Sequence, residues 1–127
     1  MARKATRGAG KVAEDLASDW LESRGYRVLA RNHATRRGEV DLVCRIGEVI
    51  CFVEVRSRAS SAFGSPAETV GQEKARRVIS AATDWALRNK ALDRQLRFDV
   101  VSVEWDGSRP RFEHVCGAFD SSGLTPW

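Results

Sequence analysis

Residues 38–58 read GEVDLVCRIGEVICFVEVRSR: two runs of strand-forming residues on either side of a glycine turn. Runs this rich in Val, Ile, Phe and Cys suit a hairpin inside a domain, and side chains alternate faces along each strand. With the tip centred on Ile46-Gly47, Arg45 lies opposite Glu48, Val43 opposite Ile50, Asp41 opposite Phe52 and Glu39 opposite Glu54. One face then carries Val40, Leu42, Cys44, Val49, Cys51, Val53 and Val55, none of them charged. The other carries Val43, Ile50 and Phe52, with Glu39, Asp41, Glu54 and Arg56 gathered toward the open end. Two such faces describe a central hairpin covered on both sides, where a cluster of acids is unusual.

In that register Asp41 and Glu54 are diagonal neighbours, roughly 7–8 Å apart at Cα, within reach of one shared ion. Like charges held so close cost free energy unless something compensates them. Arg56 offsets one charge. A divalent cation offsets the rest, and oxygen-only ligation suits Mg²⁺ or Mn²⁺. The competing reading is a salt-bridged sheet edge, in which Arg56 pairs with Glu39 or Glu54 in solvent.

The rest of the chain supplies the covering layers. Val12, Ala13, Leu16, Ala17, Trp20 and Leu21 recur at helical spacing from about 11 to 24, with Gly25 as the stop. Residues 1–9 read as a basic arm ahead of that helix, 10–119 as a single domain and 120–127 as a tail. Tyr26–Arg31 is a short strand candidate and Asn32–Gly38 a polar loop. Ser65-Pro66-Ala67-Glu68 matches a capping box, inside a loop whose Phe63-Gly64-Ser65-Pro66 is a candidate lip over the acids. A second helix is expected over 72–89, with Ala75, Val78, Ile79, Ala82, Trp85 and Ala86 on one stripe. Two strands close the domain, Leu96–Glu104 and Arg111–Val115. This order predicts an α/β sandwich around a mixed central sheet flanked by helices.

At 127 residues the chain builds a core without staples, and its net charge of +4 permits contact with nucleic acid. Cys44, Cys51 and Cys116 lie in apolar runs without zinc-ligand spacing, which fits buried thiols in a reducing cytoplasm. No run is long and apolar enough for a signal peptide or a membrane span, so no membrane partner is expected. His33 and His114 fit no ligand or triad spacing.

Asp41, followed after twelve residues by Glu54-Val55-Arg56, resembles the PD-(D/E)XK nuclease motif. The wider pattern, GEVDLV, FVEVRSR, FGSP, a lysine and RFDVV, resembles the YraN family of predicted endonucleases, itself similar to archaeal Holliday-junction resolvases. The resemblance implies a restriction-endonuclease-like αβββαβ core and a metal-dependent endodeoxyribonuclease. It implies that Asp41 and Glu54 ligate the metal with the Val55 carbonyl, that Glu14 completes the site, and that Arg56 replaces the motif lysine. Arginine stays protonated, so it stabilises a phosphate but cannot act as a base. The expected substrate is DNA, branched or single-stranded, and the resolvase likeness also implies a homodimer.

Glu39 is a supporting residue or a solvated one. Lys74, Arg76 and Arg77 crowd a helix start against its dipole, which phosphate contact explains, and Arg36, Arg37 and the basic arm extend the same surface. Two other classes stay open: a non-catalytic nucleic-acid-binding module that keeps the nuclease fold, and a protein-interaction domain with an incidental acidic cluster.

Overall fold

The computed structural model describes residues 2–58 and 71–120, with side chains of the first helix described from residue 10. Its elements are α1 (Ala2–Ser23), β1 (Arg27–Ala34), β2 (Glu39–Ile46), β3 (Val49–Arg58), α2 (Gln72–Arg88), β4 (Gln95–Asp106) and β5 (Arg109–Phe119). The strands form one mixed sheet in the order β1-β2-β3-β4-β5. Only β3 and β4 run parallel, and α2 lies in the crossover that a parallel pair requires. The αβββαβ order expected from the sequence is present, followed by β5.

Each helix covers one face of the sheet. Ala13, Ala17 and Leu21 of α1 pack on Leu42, Cys44, Cys51, Val53, Val101 and Val103. Ala75, Val78, Ala81, Ala82, Trp85 and Ala86 of α2 pack on Val43, Ile50, Phe52, Phe98 and Val100. The alanines let both helices lie close to the strands, and Phe52 fills the remaining space between Trp85 and Phe98, its ring centroid 6.0 and 5.5 Å from theirs. Burial of one such aromatic side chain contributes about 3 kcal/mol.

Several local expectations change; β1 runs on to Ala34, into the expected polar loop, and β5 spans Arg109–Phe119 rather than Arg111–Val115. The helix starts at Ala2 rather than near 11, because residues 2–9 are mostly good helix formers without an apolar stripe. Spacing marked the packed turns and not the whole helix. The first hairpin turns at Gly47-Glu48 rather than Ile46-Gly47, with Ile46↔Val49, Arg45↔Ile50 and Cys44↔Cys51 paired. Gly47 has φ +57, as the first position of a two-residue hairpin turn demands, so Ile46 remains in the strand. The register moves by two residues, which leaves every face assignment intact except one. Val40 packs with the α2-side cluster while Leu42 packs with the α1-side cluster, so alternation skips at Asp41.

The capping box and the Phe63 lip lie outside the described residues. The loop between β1 and β2 is closed by Thr35, whose N–H donates to the Gly38 carbonyl at 2.8 Å and whose hydroxyl accepts from the Arg37 N–H at 3.1 Å. It presses against α2: a methyl group at Gly38 would lie 2.0 Å from the Arg77 carbonyl oxygen. Gly38→Ala is therefore expected to lower stability by about 1–3 kcal/mol, read as a lower urea midpoint at an unchanged slope.

Candidate functional site

The paired β2–β3 register stops at Leu42↔Val53, whereas β3 stays paired with β4 as far as Arg58. Beyond that stop the Val55 N–H still faces the β2 side, and it donates to Asp41 Oδ2 at 2.8 Å. The N–H and C=O of one strand residue point the same way, so the Val55 carbonyl also faces β2. Just past the last paired residues, Glu54 is close enough for its charge and a side-chain hydrogen bond to act on the Asp41 carboxyl. Glu54 is 6% exposed, and its Oε2 is 3.2 Å from Lys74 Nζ, which reaches over from α2.

Two carboxylates this close repel each other. Burial, then the charge of Glu54, pushes the Asp41 carboxyl up to about 7, against the opposing pull of the Val55 N–H and Lys74. From α1, Glu14 approaches the same group: burial and the charges of Asp41 and Glu39 raise its pKa, while Asn32 and Arg31 oppose the rise. The Asp41, Glu54 and Val55 oxygens form a hard donor set with excess negative charge, which fits Mg²⁺ or Mn²⁺. Glu14 borders this set, since Glu14, Asp41 and Glu54 do not bring three ligand atoms within 4.8 Å of one another. Arg56 is half-buried two residues beyond Glu54 on β3, and Glu39 is exposed at the start of β2.

The basic residues divide. Arg36, Arg37, Lys74 and Arg77 line one pocket of about 330 Å³ with Thr35, Gly38 and Glu39. Arg36 and Arg37 continue into a second of about 520 Å³ with His33, Asp84 and Arg88. Arg76 lines neither, because it sits on another side of α2. The ion pair of Lys74 with Glu54 spans twenty residues of sequence and a change of layer, so no local pattern announced it.

A second constellation escaped the sequence reading. Asp99 is fully buried, yet Arg97 donates to Oδ1 from Nε at 2.9 Å and to Oδ2 from a terminal nitrogen at 2.8 Å. The Gly117 N–H donates to Oδ1 at 3.0 Å, and His114 Nε2 lies 2.8 Å from Oδ2. Burial alone would raise the pKa of Asp99, but the bonds from His114, Arg97 and Gly117 outweigh it and hold it below 3.8. Cys116 Sγ is 3.6 Å from His114 Nε2, and among the described residues Asp99, His114 and Cys116 alone bring three such ligand atoms within 4.8 Å. Arg97 already supplies the positive charge there, so the cluster works as a satisfied buried network. Cys116 is exposed, contrary to expectation, whereas Cys44 and Cys51 are buried and their thiols are pushed up to about 12 by that burial.

A sequence profile described as "Uncharacterised protein family UPF0102" matches residues 13–103. A UPF0102 protein of Anaeromyxobacter dehalogenans is 60% identical over 114 residues, covering 90% of this chain and 85% of that protein. Another, from Anaeromyxobacter sp. (strain Fw109-5), is 59% identical over 117 residues, with 92% and 88% covered. A third, from Myxococcus xanthus, is 40% identical over 112 residues, with 88% and 89% covered.

The two aspartates are expected to respond to pH in opposite senses. The pKa of Asp41 is raised on folding, so its contribution to stability is complete below 3.8 and is lost as pH rises through about 7. Asp41→Asn keeps an acceptor for the Val55 N–H and removes that loss. In EDTA the variant should be more stable than the wild type at pH 8 by about 2–4 kcal/mol, with the gap closing toward pH 4, as followed by urea denaturation. The pKa of Asp99 is lowered, so its contribution is present above 3.8 and lost as pH falls through its folded value. Asp99→Ala, which strands Arg97 and His114, should cost about 3–5 kcal/mol near neutral pH, with the difference shrinking in acid.

Proposed function

The chain belongs to the uncharacterised protein family UPF0102, and we propose that it is a divalent-metal-dependent endonuclease that hydrolyses DNA phosphodiester bonds at branched or single-stranded structures. The observation that carries this reading is the Asp41–Glu54 pair, held beyond the end of the β2–β3 register and linked through Lys74 to a groove lined by Arg36, Arg37 and Arg77. Asp41, Glu54 and the Val55 carbonyl would hold Mg²⁺ or Mn²⁺, with Glu14 at its margin. Such an ion, when bound, acidifies water and neutralises phosphate charge.

The chain's own residues do the remainder. Arg36, Arg37 and Arg77 bind the backbone phosphates on either side of the reacting one. Arg56 stabilises the charge that grows on the phosphate oxygens as the bond is cut, and takes no proton itself. In the hydrolysis, a water oxygen forms a bond to phosphorus and the ester P–O bond breaks. One proton of the water passes to the leaving oxygen and the other to solvent. No helix among the described residues is long and apolar enough to cross a membrane.

A second reading rests on Arg56 standing where the nuclease motif has lysine: a nucleic-acid-binding module without turnover. It differs in outcome. A panel of duplex, single-stranded, flap and four-way-junction DNA with Mg²⁺ or Mn²⁺ should show cleavage by the wild type. Glu54→Ala should reduce it by about 100-fold or more while the protein remains folded. Equal cleavage by the wild type and Glu54→Ala on every substrate would sink the catalytic reading. Salt-sensitive binding that survives loss of both Asp41 and Glu54, without cleavage by the wild type, would establish the module instead.

A further inference from the structure

The third strand carries the pattern Glu54-Val55-Arg56, with no lysine where the nuclease motif has one. An amine nevertheless reaches the acidic pair from another layer. Lys74 Nζ lies 3.2 Å from Glu54 Oε2. The Glu54 side chain is 7% exposed and that of Lys74 46%, so the ammonium is tethered to a buried carboxylate while still open to solvent. The same side chain lines the pocket that holds Arg36, Arg37 and Arg77. Lys74 thus stands at the junction of the acidic pair and the basic groove, where a phosphate drawn along the groove meets the carboxylates.

We propose that Lys74 contacts the scissile phosphate and supplies, from α2, the ammonium that β3 lacks at position 56. This rests on the nuclease reading above. Lysine presents a compact point charge on a flexible stem, which suits a phosphate oxygen changing position during reaction. The planar fork of Arg56 suits a fixed pair of oxygens. The role of Lys74 is electrostatic, and it transfers no proton. Its place in the first turn of α2, with Arg76 and Arg77 close by, opposes the helix dipole, and anions on both sides of its ammonium offset that opposition. Glu54 is one such anion; the substrate phosphate is the other.

Position 56 lies two residues from Glu54 on the same strand, so a lysine placed there points to the same face. That permits a relocation test on the full chain, with the DNA cleaved best in the panel. Lys74→Ala should cut turnover by about 100-fold at a temperature where the variant remains folded. Adding Arg56→Lys to it should recover about tenfold or more, because the amine returns from the neighbouring element. Lys74→Met carries the same readout if the alanine variant does not fold. A second arm needs no metal. In EDTA, DNA affinity measured by fluorescence anisotropy should fall about threefold or more from Glu54→Gln to Glu54→Gln with Lys74→Ala. The slope of log affinity against log salt should lose about one.

Full turnover by Lys74→Ala when Glu54→Ala is inactive would overturn the proposal, and so would unchanged affinity in EDTA. Full turnover by Glu54→Ala would remove the nuclease reading itself, and this proposal with it.

Discussion

The central strand β3 outlasts its neighbour, and the functional end of the molecule follows from that mismatch. On one side β3 is paired with β4 through Arg58; on the other its paired register with β2 ends at Leu42↔Val53. A backbone N–H beyond the stop must find an acceptor or carry the cost of an unmade bond. Asp41 provides the acceptor, at 2.8 Å from the Val55 nitrogen. A carboxylate bound there is fixed beside the next inward residue of β3, which is Glu54. The same bond that ends the sheet tidily therefore holds two carboxylates together in electrostatic strain. Skipped alternation between Val40 and Leu42 lets β2 turn its Asp41 into this position without exposing either core.

Much of this architecture was legible because periodicity reports burial directly. Leu42, Cys44, Cys51 and Val53 face α1, and Val43, Ile50 and Phe52 face α2, as alternation required. The register was legible only to within two residues, since Ile46-Gly47 and Gly47-Glu48 both place glycine in the turn. The torsional demand of the first turn position decides between them. The helix of residues 2–23 was legible only where it packs. What sequence could not show were contacts between layers. Lys74 on Glu54 and His33 on Asp84 join residues 20 and 51 positions apart and depend on how helices stack on strands, whereas His114 on Asp99 joins neighbouring strands 15 positions apart within the sheet. Arg76 and Arg77 are adjacent in sequence but separated by a helical rotation, so one faces the groove and the other does not.

Charge is arranged radially around the acidic pair. Glu54 and Asp41 lie within the sheet, Glu14 and Glu39 at its margin, and Arg36, Arg37, Lys74 and Arg77 along the groove that leads to it. An excess of four positive charges over the whole chain would attract any polyanion. The groove gives that attraction a direction, and Gly38 keeps the loop with Arg36 and Arg37 pressed against the helix with Lys74 and Arg77. Attraction along this path and repulsion at its end are the two electrostatic features on which the proposed reading rests.

Asp41 and Asp99 show why burial alone does not mark a site. Asp99 is fully buried and Asp41 partly so, and burial is the largest influence on each. Asp99 accepts bonds from Arg97, His114 and the Gly117 N–H, and has a guanidinium as its counter-ion. Its pKa falls, and nothing is left for a ligand to improve. Asp41 takes one backbone N–H and faces a second carboxylate across the strands, with its nearest ammonium committed to Glu54. Its pKa rises to about 7. The free energy left unrecovered at Asp41, and recovered at Asp99, is what separates a candidate site from a well-built core.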